Sequence, residues 1–141
     1  MADVLNKVFA SYDEDISLCI QNHRVSGISC EEAVQLKKLI SDERFGIILS
    51  PEHEYIMGND YIKEAEKVLD ITKVIYIADC DKDGKLCLIG EGVIDFNKVM
   101  EMLKNKGFDG NVSLKWEKCW HEELPECEIA FEGFNKYFKR V

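Results

Sequence analysis

Five polar side chains in this sequence are of types that exchange protons or act as nucleophiles, and each lies at or near the end of a predicted β-strand. They are His23, His53, Asp79, Lys115 and Glu117. Imidazoles and carboxylates act as general acids and bases, and a lysine amine kept in a dry site can form a Schiff base with a carbonyl compound. Because ligands of α/β folds gather at the carboxyl ends of strands, these residues are candidates for one site. For Lys115 the alternative is a structural role, in which it pairs with Glu117 or fills space at an interface.

An acidic motif, Asp79-x-Asp81-x-Asp83-Gly84, imitates the first half of an EF-hand calcium loop. Its twelfth position, which should be a glutamate, is Gly90, and the preceding segment is a predicted strand instead of a helix. The motif therefore predicts an Asp/Gly-rich turn and no calcium site.

Six cysteines could suggest disulfides or a zinc site. Their spacing contains no C-x-x-C pair, and the apolar content of the chain, 46%, is enough to fold without covalent staples. Cys19 lies within a predicted strand and Cys127 on a predicted apolar helix face, where cysteine behaves as a small hydrophobe. We therefore expect reduced, structural thiols.

The clearest structural unit is the segment Gly90–Trp120, which predicts a turn, an amphipathic helix and a buried strand. Asp95 is placed to cap the start of the helix, and Gly107 to end it in a left-handed conformation. The helix has apolar residues at i, i+3, i+4 and i+7, and the strand has them at every second position. These apolar residues are Phe96, Val99, Met100 and Leu103, then Val112, Leu114 and Trp116.

The remaining chain repeats this alternation. A short helix is predicted over Val4–Tyr12. Three strands are predicted, over Ile16–Asn22, Phe45–Leu49 and Val74–Ala78, and Pro51 ends the second of them. Three helices are predicted to follow. The first begins with a capping box of Ser29 and Glu32, the second begins at Asn59 or Asp60, and the last begins at Pro125. The pattern is (βα)₄: a parallel sheet in the order 1-2-3-4, with helices on one face and no antiparallel strand in its core. We interpret residues 1–141 as one domain.

The two faces of this sheet are predicted to contact different parts of the molecule. One set should pack on the helices: Ile16, Leu18, Ile20, Ile47, Leu49, Ile75, Ile77, Leu114 and Trp116. The other would point into a barrel that four strands cannot close: Ser17, Cys19, Gln21, Gly46, Ile48, Ser50, Val74, Tyr76, Ala78, Ser113, Lys115 and Glu117. Bare sheet edges are normally paired or covered. Either two copies complete eight strands as a homodimer, or terminal helices cover the sheet, with the segment Met1–Tyr12 lying across the inner face of a monomer.

Four sequence motifs, in order along the chain, resemble those of sugar-phosphate isomerase and epimerase proteins. They are ISLCIQNH at 16–23, GIILSPEH at 46–53, VIYIADCDKDGK at 74–85, and GEGVIDF followed by KGFDG within 90–110. These proteins share the xylose isomerase-like TIM barrel. The resemblance implies a half-barrel equivalent to the C-terminal half of that fold. A complete TIM barrel needs about 250 residues.

The resemblance also implies a metal site that this sequence has altered. Proteins of that family hold a divalent metal, such as Mn, Mg, Co or Zn, with Glu, Asp, His and Glu at the ends of these four strands. The matching positions here are Gln21, Ser50, Tyr76 and Lys115. None is anionic and one is cationic, so we expect no metal cofactor.

Three nearby polar residues match residues of the family motifs: His23, His53 and Asp79. The candidates for catalysis are Lys115, Glu117 and His53, and the candidates for substrate binding are His23, Asn22, His53 and Asp79. Of these, Lys115 is a substituted position and Glu117 follows it by two residues on the same face of the strand. The alternative for His53, which stands between Glu52 and Glu54, is a solvated loop histidine.

Composition excludes several classes of partner. A net charge of −9 and a pI near 4.8 argue against nucleic acid or anionic membrane, since both bind basic surfaces. No apolar run is long enough for a membrane span, and residues 1–4 lack signal-peptide character, so we expect a soluble, cytoplasmic chain.

Three functional hypotheses follow from the sequence. The first is a non-catalytic half-barrel that works as a binding or assembly module, with a sugar or sugar phosphate as a possible ligand. The second is an active isomerase or epimerase whose site is rebuilt from His23, His53, Asp79 and Glu117, or is completed by a partner chain that supplies a complementary half-barrel. The third is a Schiff-base enzyme that uses Lys115.

Overall fold

The protein, here as a computed structural model described over residues 1–12, 15–25 and 27–138, is a four-stranded parallel sheet covered by helices. The sheet contains β1 (Leu18–Gln21), β2 (Phe45–Leu49), β3 (Thr72–Ile77) and, last in the chain, β6 (Asn111–Leu114). Its order is β1-β2-β3-β6, with every neighbouring pair parallel. The predicted half-barrel, with its strand order and its helical layer, is confirmed.

In the described ranges, six α-helices connect or flank these strands. They are α1 (Ala2–Ser11), α2 (Cys30–Lys38), α3 (Pro51–Ile56), α4 (Tyr61–Val68), α5 (Phe96–Asn105) and α6 (Cys127–Tyr137), with a 3₁₀ turn at Leu69–Ile71. Local signals for the helix ends are confirmed. The Ser29–Glu32 capping box forms in full, Asp60 and Asp95 cap their helices with their side chains, and Gly107 has a φ of +65°.

The structure adds two elements that the sequence patterns did not predict. Pro51 does more than end β2, because it is the first residue of the short helix α3. A small antiparallel hairpin, β4 (Asp79–Cys80) and β5 (Leu86–Cys87), follows β3 outside the main sheet.

The last helix begins at Cys127 and not at Pro125. Cys127 is exposed, so its predicted place on an apolar face is wrong.

The core lies between the sheet and the helices. Four residues of β2 and β3 form its centre, Ile47, Leu49, Ile75 and Ile77, and all are fully buried. Ile16 departs from the predicted outward set, because it precedes β1 and is half exposed. The opposite face of the sheet is only partly covered: Cys19, Ile48, Val74 and Tyr76 are half-buried, and Ser113 is exposed.

Helix α1 lies on the helical side of the sheet. Its Phe9 and Leu5 pack in a small cluster with Leu18, Ile20 and Phe45, which face the helices. The alternative in which the N-terminal segment crosses the inner face is therefore wrong.

The acidic motif forms the turn of the β4–β5 hairpin. A side-chain oxygen of Asp81 accepts the backbone N–H groups of Asp83 and Lys85, and Gly84 has a φ of +79°. The prediction of an Asp/Gly-rich turn is confirmed. Among the described residues, no helix is long and apolar enough to cross a membrane.

Candidate functional site

A pocket of about 280 Å³ opens at the carboxyl ends of the strands. Its polar lining comes from the segments that follow β1, β2 and β6 and from the hairpin, and its apolar lining from four aliphatic side chains. The polar residues are His23, Arg24, Glu52, His53, Lys85, Lys115, Glu117, His121 and Glu123, and the aliphatic ones Val25, Ile56, Leu86 and Leu124.

Lys115 is the central residue of this pocket. Its backbone N–H donates to the carbonyl of Ile77, which extends the β6 pairing by one residue beyond the strand. Strand alternation then directs its side chain to the inner face. The Nζ atom lies 3.1 Å from Oε1 of Glu52, 3.1 Å from Oε1 of Glu117 and 3.0 Å from Nε2 of His53. The side chain is only 13% exposed, so these contacts are little screened by water.

Glu52 is a fully buried carboxylate in the first turn of α3. Burial raises its pKa to about 7, although the ammonium of Lys115 opposes this shift. One carboxylate oxygen accepts from Lys115, and the other, Oε2, is buried and has no hydrogen-bond partner among the described residues. An unpaired buried oxygen is costly, which makes Glu52 a candidate for proton uptake.

His53 is buried beside Glu52, with 6% of its surface exposed. The interpretation of His53 as a solvated loop histidine is therefore wrong. An ammonium can only donate, so Nε2 of His53 accepts from Lys115 and the ring proton is assigned to Nδ1. Within the part of the chain that the structure describes, Nδ1 has no hydrogen-bond partner. Burial, followed by the charge of Lys115, lowers the pKa of His53 to about 3, and the ring stays neutral. The His23 ring packs against it at 4.2 Å between centroids.

A second group of charges continues from Lys115 to the surface. The carboxylate of Glu117 lies 3.8 Å from Nε2 of His121, and Nδ1 of His121 lies 3.5 Å from Glu123. His121 is 45% exposed, whereas Glu52 is fully buried. The titratable groups therefore form a continuous series from solvent to the buried carboxylate.

Two predicted binding residues lie outside this pocket. Asn22 is buried and links β1 to β2 and α3: its amide donates to the Ser50 carbonyl and to Glu54, and its oxygen accepts the Ser50 N–H. Asp79 is also buried. Its carboxylate accepts four backbone N–H groups, from Cys80, Gly90, Gly92 and Ile94. The polar atoms of both side chains are thus engaged in holding the fold.

The four positions that the resemblance matches to metal ligands, Gln21, Ser50, Tyr76 and Lys115, carry no carboxylate or imidazole. The amide nitrogen of Gln21 donates to the hydroxyl of Ser50 at 2.9 Å, and Lys115 adds a positive charge. Hard divalent cations require anionic oxygen ligands, and these residues with Tyr76 offer none. The two nearby carboxylates, of Glu52 and Glu117, already hold the ammonium.

Elsewhere in the described ranges, a single group of three side chains is close enough to hold a metal: Cys30, Glu54 and Glu64. One oxygen of Glu54 accepts from Asn22 and the Cys30 thiol, and the other accepts from Asn59. The Cys30 thiol has a pKa raised above its ordinary value, mainly by burial, and so resists forming a thiolate. This group is a hydrogen-bonded core cluster.

The structure thus gathers His23, His53, Lys115 and Glu117, four of the predicted residues, and adds Glu52 and His121. The sequence contained a partial signal for His121, which stands four residues after Glu117. Glu52 had none, because α3 was not predicted and the residue appeared only as a neighbour of His53.

Comparison with known proteins agrees with this architecture. The family model described as "Xylose isomerase-like TIM barrel" matches residues 1–133. An uncharacterised protein of Methanocaldococcus jannaschii is 33% identical over 95 residues, which cover 64% of this chain and 32% of that protein. The chain spans about a third of the length of this curated relative.

Solved structures match over nearly the whole chain. A D-tagatose 3-epimerase-like protein has a TM-score of 0.69 at 24% identity, covering 95% of this chain and 49% of the other. The IolI protein, solved with a bound zinc atom, has a TM-score of 0.68 at 19% identity, covering 99% and 56%. At these identities the likeness establishes the fold alone, and the matched part is about half of each solved chain. Together with the family match, it shows that this chain belongs to the xylose isomerase-like TIM barrel family.

Proposed function

We propose that this chain is a small-molecule-binding unit in which the ammonium of Lys115 takes the place of the family's divalent metal. One observation supports it above all: Nζ of Lys115 contacts Glu52, Glu117 and His53 at 3.0 to 3.1 Å inside the pocket. An ammonium neutralises carboxylates and donates hydrogen bonds, but it offers no open coordination position for a substrate oxygen. The unit would therefore bind and orient a ligand without metal chemistry.

The charge balance of the pocket favours a neutral, polyhydroxylated ligand of the sugar class. Three cationic side chains and three glutamates line it, so their formal charges cancel where Glu52 is ionised, above about pH 7, although the chain carries −9. Donors and acceptors are interspersed with aliphatic side chains, as hydroxyl groups and C–H faces require. Its volume of about 280 Å³ suits a monosaccharide better than a larger ligand. The charged residues are Arg24, Lys85, Lys115, Glu52, Glu117 and Glu123.

Metal analysis tests the first part of this proposal. After purification without chelator, elemental analysis of the wild type is expected to find well under one equivalent of Mn, Mg, Co or Zn. The positive control restores the family's ligand types in one variant: Gln21→Glu, Ser50→Asp, Tyr76→His and Lys115→Glu. That variant, if it folds, is expected to gain a metal-dependent rise in Tm. A stoichiometric metal in the wild type, lost in Lys115→Ala, would refute the proposal.

Ligand binding tests the second part. Neutral monosaccharides and sugar phosphates are titrated while backbone NMR signals near His23, His53 and Lys115 are followed, with and without EDTA. We expect a neutral sugar to shift these signals equally under both conditions, and Lys115→Met to weaken its binding at least about tenfold. Lys118→Met, which removes a lysine outside the pocket lining, is the matched control. Binding that disappears on adding EDTA would contradict a metal-independent site.

A second candidate function is proton transfer by an isomerase or epimerase with a rebuilt site. The observation that favours it is Glu52, whose pKa of about 7 suits a group that both accepts and donates a proton near neutral pH. The test is incorporation of solvent deuterium into a ketose, followed by NMR in the presence of EDTA. Exchange catalysed by the wild type and abolished in Glu52→Gln would support catalysis, and no exchange by either would support binding alone.

The Schiff-base hypothesis receives less support from the geometry. Nζ of Lys115 already contacts Glu52, Glu117 and His53 at 3.0 to 3.1 Å, so attack on a carbonyl carbon would require it to give up these contacts. Borohydride trapping with a ketose phosphate is expected to leave the mass of the chain unchanged. A covalent adduct on Lys115 would overturn this expectation.

A further inference from the structure

We propose that two copies of this chain join edge to edge, β6 of each against β1 of the other, to form a closed eight-stranded ring with twofold symmetry. This inference goes beyond the proposed ligand site and is independent of it. Four observations carry it: two outer strands with a described strand on one side only, the distribution of exposed apolar side chains, an open inner face, and the length of the matched structures.

Both outer strands present backbone groups that no described strand pairs. The N–H groups of Leu18 and Asn22 donate to the carbonyls of Arg44, just before β2, and of Ile48 in β2, and on the β6 side Lys115 donates to Ile77 of β3. At the carboxyl end of β1, Asn22 also forms an isolated parallel bridge with Ile28, so the part of this edge without a described partner lies nearer the start of the strand. In a parallel sheet, the backbone groups of every second residue bond to the same neighbouring strand. On an outer strand, the backbone groups of the residues in between therefore point away from the sheet. Because all four strands run in one direction, a twofold axis along the strands brings β6 of one copy beside β1 of the other, again parallel. Ring closure removes both edges at once.

Exposed large apolar side chains concentrate at these two edges. Nine are found in the described chain. Five lie on or next to α1, which packs against β1, two lie on α6, whose Phe131 adjoins β6, and Val25 and Trp120 lie in the loops after β1 and β6. On the β1 side, Met1 precedes α1, Val4 lies on it, and Tyr12 and Ile16 follow it. Leu39 lies beside α1, where its carbonyl accepts from Asn6.

On the β6 side, the exposed apolar residues are Trp120, Ile129 and Phe131. Phe131 lines two neighbouring hollows of about 620 and 460 Å³, one with Val112 of β6 and one with Leu114. Apolar surface of this kind at a strand edge marks an interaction site.

The inner face supports the same arrangement. Ile48, Val74 and Tyr76 are only half-buried, and α1 lies on the other side of the sheet. In a closed ring these side chains would become the barrel interior. The matched solved chains are about twice as long as the part that this chain matches, which leaves the length of a second four-stranded unit.

A second copy is the occupant that these features favour, because both complementary edges are on one chain and are apolar. A contact between two different surfaces of one protein gives a closed assembly only if repeating it leads back to the first copy. With a twofold axis, two copies close the ring through two identical junctions. Each copy carries −9, so repulsion opposes association at low salt and screening relieves it.

Solution mass tests the inference. Light scattering at about 0.1 mM protein, in roughly 0.05 M and 0.5 M NaCl, is expected to give twice the 16.2 kDa of the chain, with a larger dimer fraction at high salt. Phe131→Glu on α6 and Val4→Glu on α1 should each weaken the dimer at least about tenfold. Val25→Glu, at an exposed apolar residue beside the pocket, is the matched control and should leave the mass unchanged. Circular dichroism checks that each variant is folded.

Mixing the two edge variants distinguishes the ring from a simple patch. In a mixed dimer, both substitutions fall in one junction and the other junction is wild type, so mixing Phe131→Glu with Val4→Glu should recover dimer. A monomer in both salts overturns the proposal. So does a dimer that only Phe131→Glu disrupts, since that result would indicate α6 packing on α6.

Discussion

Replacing Glu52 by glutamine should change how the stability of this protein depends on pH. Glu52 is fully buried, and its pKa is raised from 4.5 to about 7, chiefly by burial. In the unfolded chain it ionises near pH 4.5, whereas in the folded chain it stays protonated up to about pH 7. Its protonation thus stabilises the fold fully below pH 4.5, and this contribution is lost as the pH rises towards 7.

The size of the effect follows from the two pKa values. Each unit of difference corresponds to about 1.4 kcal/mol, so Glu52 should lower the free energy of unfolding by about 3 kcal/mol between pH 4.5 and 7. Glutamine has nearly the same shape and does not titrate. The difference in unfolding free energy between Glu52→Gln and wild type should therefore shift in favour of the variant by about 3 kcal/mol over that range.

His53 acts in the opposite direction and sharpens the test. Its pKa is lowered from 6.5 to about 3, so its contribution to stability is present above pH 6.5 and is lost as the pH falls towards 3. The two slopes oppose each other in the wild type between pH 4.5 and 6.5. In Glu52→Gln the slope of His53 remains alone, so stability should climb with pH, whereas in His53→Gln it should fall.

The assay is urea denaturation followed by circular dichroism at half-unit steps from pH 4.5 to 8. Glu122→Gln, an exposed carboxylate outside the pocket lining, is the control and should follow the wild-type curve. If the curves of Glu52→Gln and wild type stay parallel within about 1 kcal/mol, the burial argument for Glu52 is refuted.

Three further expectations concern residues that hold the fold. Asp79→Ala leaves four backbone N–H groups without their acceptor and should lower the free energy of unfolding by about 3 kcal/mol or more, measured by urea denaturation. Gly92→Ala, whose Cβ would collide with the Asp79 carboxylate, should also destabilise the fold, and neutral behaviour of both variants would contradict this role. Asn22→Ala should lower the free energy of unfolding by about 2 to 4 kcal/mol in the same assay, because it leaves buried groups at the end of β2 and on α3 without their hydrogen-bond partner. A decrease below about 1 kcal/mol would argue against this buried link. Ser29→Ala should lower stability by about 1 kcal/mol through the lost capping box, with the exposed Ser41→Ala as control, and equal effects of the two would show that the cap contributes nothing.

The sequence by itself determined the secondary structure that depends on near neighbours. The apolar run of β2 was predicted with its observed ends, and Ser29, Asp60, Asp95 and Gly107 act as the caps their positions indicated. Each of these signals involves residues within one helical turn or one strand, where spacing alone fixes geometry. The alternation of strands and helices is compatible with only a few topologies. Right-handed connections between neighbouring strands then predict a parallel sheet in the order 1-2-3-4.

Only the tertiary structure decided which polar residues meet. Lys115 and Glu52 are 63 positions apart, and their contact depends on the register of β6 and on a one-and-a-half-turn helix that no periodic pattern revealed. Asp79 shows the converse, since a motif residue that seemed available for a ligand is used by four N–H groups of a loop. Burial and pairing are properties of the whole fold. The raised pKa of Glu52, the neutral ring of His53 and the bare edges of the sheet therefore emerged only once the chain was packed.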